Sequence, residues 1–314
     1  MHQISLPETR RPALKRLLDQ HRPVRALECH NALSALVATL AEERDDSGNG
    51  RRFDALWASG FAHATTRGLP DAELSLLERR IDAIAEIATI GDRPIIADVD
   101  TGGDPLAFAT LCARLEALGV SAVVVEDKAG AKRTSLAADV RHELEDPDAF
   151  RAKIGTAQEA LQSGDLLIFA RIEALIAGAG LPEALDRAQR YLDSAADGLV
   201  IHSKDDTGEE VLEFMDAYRR LCDRLGVYKP LVCIPTAYNH IPARDLFDRG
   251  ASIVIHGNHL VRAAYRAMVR TASTILRHDR SLEAERDCGP VADLFDLVGT
   301  GVDAGRIGAP SRST

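Results

Sequence analysis

The chain has no apolar run long enough to cross a membrane and no dense cluster of basic residues. Its hydrophobic stretches fall short of the roughly 20 apolar residues that a transmembrane helix needs, and Met1–Ser5 lacks the apolar core of a secretion signal. The 38 Lys and Arg residues are outnumbered by 48 Asp and Glu, for a formal net charge of −10, and they are scattered among the acids. We therefore expect a cytoplasmic protein with a small-molecule partner, and neither nucleic-acid nor membrane binding.

Cysteine pairs and nucleotide-binding motifs are missing as well. The five cysteines are odd in number and far apart, and no two have the spacing of a metal site. Reduced, mostly buried thiols are the expected state. Because the sequence contains neither G-x-G-x-x-G nor the Walker lysine pattern, dinucleotide and P-loop nucleotide binding are not predicted.

What the chain does contain is a regular alternation of short apolar runs and longer segments of helical period. The predicted strands are Arg25–Cys29, Phe53–Ser59, Pro94–Val99, Ala122–Glu126, Leu166–Arg171, Gly198–His202, Leu231–Ile234 and Ser252–His256. Their nearly continuous hydrophobicity is typical of strands that helices cover on both faces. Eight repeats of strand then helix predict an α/β fold, a (β/α)₈ TIM barrel, with an open doubly wound sheet as the alternative.

The chain length allows one large domain or two small ones. We predict a single barrel domain over residues 1–314, in which 1–20 and 300–314 are peripheral tails. Three segments fall outside the alternation: the charged stretch 42–52, predicted as a solvated loop; the long connection 127–146, a candidate lid; and the apolar cluster 291–298, predicted as a short helix before a frayed end.

The third strand runs directly into two carboxylates, Asp98 and Asp100, and then breaks on glycine. Because residues i and i+2 of a strand point to the same face, these side chains can converge, and Glu126 ends the next strand. Oxygen-rich sites of this kind suit magnesium or manganese better than zinc. The alternative is that Asp98 or Asp100 caps the following helix.

Polar residues also follow the other predicted strands, at the end of a barrel where active sites form. Arg171 could supply a planar donor fork for a phosphonate or carboxylate, or it could form a bracing ion pair with Glu173. His202 could contact a ligand or be a satisfied core histidine. The convergence of acids, a cation and imidazoles fits metal-assisted chemistry on an anionic substrate.

Eight motifs in order resemble the phosphoenolpyruvate mutase and isocitrate lyase superfamily, over roughly residues 25–300. They are Glu28-Cys29-His30-Asn31, Trp57-Ala58-Ser59-Gly60-Phe61, Asp98-Val99-Asp100-Thr101-Gly102, Val125-Glu126-Asp127-Lys128, Ala170-Arg171-Ile172-Glu173-Ala174, Ile201-His202-Ser203-Lys204, Pro235-Thr236-Ala237-Tyr238 and Gly257-Asn258-His259-Leu260. The chain is more similar to the branch that handles phosphonopyruvate, the mutase and the hydrolase, than to the lyases, whose lid carries a cysteine.

The resemblance implies a metal site and an oligomer. Asp98 would bind Mg²⁺ directly, with Mn²⁺ or Co²⁺ as possible substitutes, while Asp100 and Glu126 would act through water. Members of the superfamily resemble dimers of dimers that exchange the final barrel helix, which implies a homo-oligomer here.

The resemblance also implies a set of substrate-binding and catalytic residues. Ser59, Gly60 and Phe61 would bind the substrate carboxylate, and Arg171 and His202 the phosphonyl oxygens. Asp71 would lie near the reacting centre. Lys132, Thr134 and Ser135 would close over the substrate.

The lid residue Thr134 separates the two nearest activities. The resemblance implies a Lys-x-Asn-Ser motif at this place in the mutase and a threonine in place of the asparagine in the hydrolase. An asparagine amide can hold a metaphosphate-like species, and a shorter hydroxyl leaves room for water. We therefore predict hydrolysis of phosphonopyruvate, or of a close 2-oxo phosphonate, to pyruvate and phosphate. The alternatives are the mutase reaction, a C–C lyase acting on a 2-hydroxy or 2-oxo diacid, and a non-catalytic binding barrel.

Two departures from the superfamily pattern affect the expected substrate. Gly103 stands where an aromatic residue is usual, and the lid has Ala129-Gly130-Ala131 where a bulky residue and proline are frequent. The substrate could therefore be a relative of phosphonopyruvate.

Overall fold

Eight parallel strands close into a barrel in the computed structural model, which describes residues 5–45, 47–72, 77–130, 134–135 and 142–299. The strands are β1 Val24–Cys29, β2 Ala55–Ala58, β3 Ile95–Asp98, β4 Ala122–Glu126, β5 Leu167–Ile172, β6 Gly198–Ile201, β7 Leu231–Cys233 and β8 Ile253–His256. The ring closes because β1 pairs with both β2 and β8. The predicted TIM barrel is confirmed, each strand within two residues of its expected bounds, and the open sheet is excluded.

Helices surround the barrel and alternate with its strands. They span Pro7–Arg10, Ala13–Asp19, Ala32–Leu40, Gly60–Thr66, Leu77–Ala88, Pro105–Ala117, Pro147–Ala160, Gly180–Leu192, Glu209–Leu225, Ala243–Asp248, His259–His278 and Val291–Leu297, with a 3₁₀ helix at Leu282–Asp287. Two of them begin alike: Asp104 and Asp146 each accept two backbone N–H groups, and each is followed by proline. Among the described residues, no helix is both long and apolar enough to cross a membrane.

The barrel interior is filled by alternate residues of the strands. On β1, Val24 and Ala26 point inward, and on β4, Ala122 and Val124 do so. Leu14, from the helix Ala13–Asp19, joins the same apolar cluster and is fully buried. The intervening strand residues pack against the surrounding helices, so both faces of the sheet are buried. Four of the five cysteines are buried and Cys288 is exposed; all five are free thiols.

The charged segment 42–52 is not the loop that its composition predicts. Glu42–Arg44 and Gly50–Arg52 form an antiparallel hairpin outside the barrel. Its register places Glu42 opposite Arg52 and Glu43 opposite Arg51. Arg51 Nη2 also lies 3.0 Å from Asp45 Oδ2 in the turn, so the charges that suggested a loop contribute to the hairpin.

The last two α-helices of the described residues have exposed apolar surface. In His259–His278 only Val261 is buried, and Leu276 is 84% exposed. Val291–Leu297, the helix expected near the end of the chain, has no buried residue. These helices present an apolar surface that the described part of the chain does not cover.

Candidate active site

The inward rows of the barrel strands change from apolar to polar at their carboxyl ends. Ile96 on β3 is followed two residues later by Asp98, and Val124 on β4 by Glu126. On β5 the inward row continues from Phe169 through Arg171 to Glu173, two residues at a time. The period of two therefore delivers these charged side chains to the mouth of the barrel.

A small cavity of about 60 Å³ lies at this end. Its lining residues are Trp57, Ser59, Phe61, Asp71, Asp98, Glu126, Thr134, Ser135, Arg171, His202, Ile234, Thr236, Gly257 and Asn258. Nine predicted site residues are among them, whereas Gly60 and Asp100 lie beside the cavity and Lys132 lies outside the described residues. A larger cavity of about 780 Å³ opens at the amino ends of β7 and β8, and it contains none of the predicted site residues.

Three buried carboxylates form a candidate metal site. One oxygen from each of Asp98, Asp100 and Glu126 lies within 4.8 Å of the others. These are hard oxygen donors, and Glu126 Oε2 is buried and makes no hydrogen bond, with the ammonium of Lys128 nearby at 3.1 Å. Three converging carboxylates fit a divalent cation such as Mg²⁺, which neutralises their repulsion.

The two aspartates converge by a turn and not by the pleat of a strand. β3 ends at Asp98, and Asp100 adopts a left-handed conformation with φ 57°. Its N–H donates to Asp98 Oδ1 at 3.2 Å. The helix cap that follows is Asp104, so neither aspartate has the capping role left open by the sequence. The two carboxylates converge as predicted. The predicted reason, alternation of side chains along a strand, was wrong, because the turn at Asp100 brings them together.

Arg80 is a site residue that the sequence did not reveal. It belongs to the helix Leu77–Ala88, and its Nη1 lies 3.0 Å from Asp100 Oδ2. Gly60 lies between them: a Cβ there would be 2.7 Å from Asp100 Oδ1 and 3.0 Å from two Arg80 nitrogens. The Gly60 N–H donates to Asp98 Oδ2 at 3.1 Å. Glycine is required here because the backbone approaches both carboxylates.

Next to the carboxylates lies a cluster of alternating charges. Arg171 Nη1 is 3.0 Å from Glu126 Oε1, and its Nε is 2.5 Å from Glu173 Oε1. Lys128 Nζ is 3.1 Å from Glu126 Oε2 and 2.9 Å from Glu173 Oε2. Arg171 thus forms the bracing pair with Glu173 that the sequence left open, and it also lines the cavity. The cluster compensates the cost of burying these charges.

The environment keeps Arg171 charged. Burial alone would lower its pKa, but the carboxylates of Glu173, Glu126 and Asp98 outweigh burial and raise it. Burial likewise favours a raised pKa for Glu173, but the charge of Arg171, the contact with His202 and the charge of Lys128 outweigh burial and hold that pKa well below its usual value. Both groups remain ionised at neutral pH.

His202 is neutral and contacts both partners of this ion pair. Burial and then the charge of Arg171 lower the pKa of its imidazole. Its Nδ1 lies 2.7 Å from Arg171 Nη2 and 3.0 Å from Glu173 Oε1. Arginine only donates and a carboxylate only accepts, so a neutral ring satisfies one contact at a time.

The candidate lid reaches the cavity at Thr134 and Ser135. Ser135 Oγ accepts from Arg171 Nη2 at 3.0 Å and from Lys128 Nζ at 2.5 Å, and it donates to Glu173 Oε2 at 2.9 Å. An antiparallel bridge between Lys128 and Leu144 joins the two ends of the lid. Lys128 was visible in the sequence only as a polar residue at a strand end, because its partners come from distant segments.

Comparison with known proteins identifies the family. A family model described as phosphoenolpyruvate phosphomutase matches residues 14–276. The chain belongs to this family, within the phosphoenolpyruvate mutase and isocitrate lyase superfamily. The superfamily inferred from the sequence motifs is therefore confirmed.

Named relatives of both kinds are similar to the chain. A phosphonopyruvate hydrolase from Variovorax sp. (strain Pal2) is 35% identical, over 93% of this chain and 95% of the relative. A crystal structure of phosphoenolpyruvate phosphomutase from Streptomyces platensis subsp. rosaceus is 33% identical with a TM-score of 0.83, covering 94% and 96% of the two chains. A phosphonopyruvate hydrolase structure in complex with oxalate and Mg²⁺ is also 33% identical, with a TM-score of 0.80 and coverage of 93% and 95%.

Proposed function

We propose that this protein hydrolyses the C–P bond of phosphonopyruvate, or of a close 2-oxo phosphonate, to pyruvate and phosphate with Mg²⁺. The observation that carries the proposal is Thr134, which lines the cavity together with Arg171, His202 and Asp98. The cavity therefore combines metal-binding carboxylates, donors for a phosphonyl group and a short hydroxyl where the mutase has asparagine.

Asp98 would bind the Mg²⁺ directly, and Asp100 and Glu126 would act through water; Mn²⁺ or Co²⁺ could replace it. When bound, the cation polarises the 2-oxo acid and neutralises the charge that develops on its oxygen. Arg80 holds Asp100 by an ion pair at 3.0 Å, which fixes one carboxylate before the cation binds.

The remaining roles divide the cavity between the two ends of the substrate. Arg171 and His202 would bind the phosphonyl oxygens. Ser59 and Phe61 line the cavity and would face the substrate carboxylate. The backbone around Gly60 would share that contact, and its N–H also donates to Asp98 Oδ2 at 3.1 Å.

Asp71 lines the same cavity and would act near the reacting centre. Lys132, which lies outside the described residues, is proposed to close over the substrate as part of the lid.

Hydrolysis requires water to reach phosphorus. The water oxygen forms a new bond to phosphorus while the C–P bond breaks. The electron pair of the C–P bond passes to the methylene carbon. The pyruvate enolate that results takes up a proton to give pyruvate, and phosphate is the second product. Thr134 leaves more room for this water than an asparagine amide would.

Two alternatives differ in their support. The mutase reaction stays the second candidate, because a phosphoenolpyruvate phosphomutase structure is as similar as the hydrolase structure. A C–C lyase is disfavoured: 129–141 contains no cysteine, and no cysteine lines the cavity among the described residues.

The deciding experiment follows phosphorus by NMR in a mixture of protein, Mg²⁺ and phosphonopyruvate. Free phosphate supports hydrolysis, and phosphoenolpyruvate supports the mutase reaction. If neither forms while a known hydrolase is active alongside, both candidates are wrong.

We also propose a homo-oligomer, a dimer of dimers that exchanges its last barrel helix. The exposed apolar residues of His259–His278 and Val291–Leu297 support it, since an uncovered apolar surface of this kind suits a subunit interface. Light scattering during size-exclusion chromatography tests it, and a monomer at micromolar concentration would refute it.

A further inference from the structure

Glu173 is a fully buried carboxylate that contacts four polar side chains. Its Oε1 lies 2.5 Å from Arg171 Nε and 3.0 Å from His202 Nδ1. Its Oε2 lies 2.9 Å from Lys128 Nζ and accepts from Ser135 Oγ at 2.9 Å. The sequence alone suggested only a bracing ion pair between this residue and Arg171. In the structure, the same carboxylate also contacts His202, Lys128 and the lid residue Ser135.

The two oxygens divide these partners by role. Oε1 faces Arg171 and His202, the pair that the proposed function places at the phosphonyl group. Oε2 faces Ser135, from the lid, and Lys128, which also contacts the metal-site residue Glu126 at 3.1 Å. Movement of Glu173 would therefore disturb the phosphonyl end and the lid together.

We propose that Glu173 is a positioning residue, which aims Arg171 and His202 at the phosphonyl group and holds Ser135 of the lid in place. This inference rests on the proposed function for the identity of the phosphonyl end. Glu173 acts through its neighbours, since it does not line the cavity itself.

The surroundings keep Glu173 rigid. Its backbone N–H donates to Asp127 Oδ1 at 2.8 Å. Asp127 is fully buried, and its Oδ2 is in turn held by Arg187 at 3.0 Å and Tyr191 at 2.8 Å. Because these contacts fix the backbone of Glu173, its carboxylate can hold the more flexible side chains of Arg171 and His202 in one orientation.

The Glu173→Gln variant tests the role, because an amide can accept hydrogen bonds on only one side. Arg171 Nε and Lys128 Nζ are both donors, so the amide NH₂ must face one of them. Mg²⁺-dependent binding of two inert probes is measured by calorimetry: phosphonoacetate, which carries a phosphonyl group, and oxalate, which carries none. We expect phosphonoacetate to bind about tenfold more weakly or worse, and oxalate to change by less than about threefold.

The matched control is Glu116→Gln. Glu116 is also a buried carboxylate, but it accepts from Gln162 N, Ser163 N and Ser163 Oγ at the opposite end of the barrel. This variant should bind both probes as the wild type does. Equal weakening of both probes by Glu173→Gln, or no weakening of either, would overturn the proposal.

A second variant covers the case in which Glu173→Gln does not fold. Glu173→Asp keeps the charge but is one methylene shorter, so it cannot reach both pairs of partners at once. It should weaken phosphonoacetate more than oxalate; wild-type binding of both would also overturn the proposal. Probe binding needs no turnover, so absence of phosphate release would sink the proposed hydrolysis and leave this test intact.

Discussion

The two ends of the barrel both bury charged side chains, but they satisfy them differently. At the amino end, Arg10 is 1% exposed and its guanidinium donates to three backbone carbonyls, those of Ser5, Ala88 and Gly91. Glu116 accepts from two backbone N–H groups nearby. At the carboxyl end, Arg171 and Glu173 are held mainly by other ionised or polar side chains.

We interpret this difference as one between charges that serve the fold and charges that serve the proposed function. Backbone partners belong to the fold and cannot leave without unfolding it. Side-chain partners can rotate toward a ligand or a cation when it binds. A cluster of charged side chains can therefore be stable without a ligand and still bind one.

Removing Asp98 should abolish activity while the fold survives. In Asp98→Ala we expect Mg²⁺-dependent turnover to fall by more than about a hundredfold, the loss that even outer-shell metal partners can cause. The fold should survive, although the Gly60 and Asp100 N–H groups lose their acceptor, so we expect at most a modest fall in melting temperature. Circular dichroism and the phosphorus NMR assay check the two parts. Full activity after chelation of metal would contradict the site assignment.

Replacing Arg10 should lower the stability of the protein and leave its activity unchanged. Arg10→Met leaves buried carbonyls without their charged donor, which we expect to lower the free energy of unfolding by about 2–3 kcal/mol. Turnover per folded molecule should not change, because Arg10 lies at the other end of the barrel. Urea unfolding measures the loss. A fall in turnover with unchanged stability would show that the two ends are not separable.

Replacing Thr134 tests the carboxyl end more finely. Thr134→Asn should slow phosphate release by about tenfold with little change in KM, because the amide excludes the attacking water and does not remove a binding contact. Thr156→Asn, on an exposed helix surface, is the control. Steady-state kinetics suffice, and an unchanged turnover number would remove the role given to Thr134.

The smallest effect concerns pH and His63. Burial, then Arg80 and Arg67, lower the pKa of this imidazole to about 4. The unfolded chain binds the proton more readily between pH 6.5 and 4, so this contribution to stability is complete above pH 6.5 and lost as pH falls toward 4. His63→Gln should lose less stability than the wild type between pH 7.5 and 5. Equal losses in urea unfolding would refute this.

Local pattern predicted much of the fold and part of the site. Strand positions were predictable because continuous hydrophobicity marks strands buried on both faces. Asp98, Glu126, Arg171 and His202 were found because they end such strands. The hairpin 42–52 was missed because both of its strands are charged and exposed, so they carry no apolar pattern. Arg80 was missed because nothing in a helix sequence shows that one of its arginines faces a distant carboxylate.

The sequence by itself determined the barrel, the carboxylates of the candidate metal site and the superfamily, because strand periodicity and the motifs at strand ends are local properties of the chain. Only the tertiary structure decided how those residues are held. In the folded protein, Arg80 forms an ion pair with Asp100, and Ser135 donates a hydrogen bond to Glu173. Asp100 itself adopts a left-handed backbone conformation and does not continue the strand. These contacts join segments far apart in the chain, and their geometry is set by packing that no local pattern records.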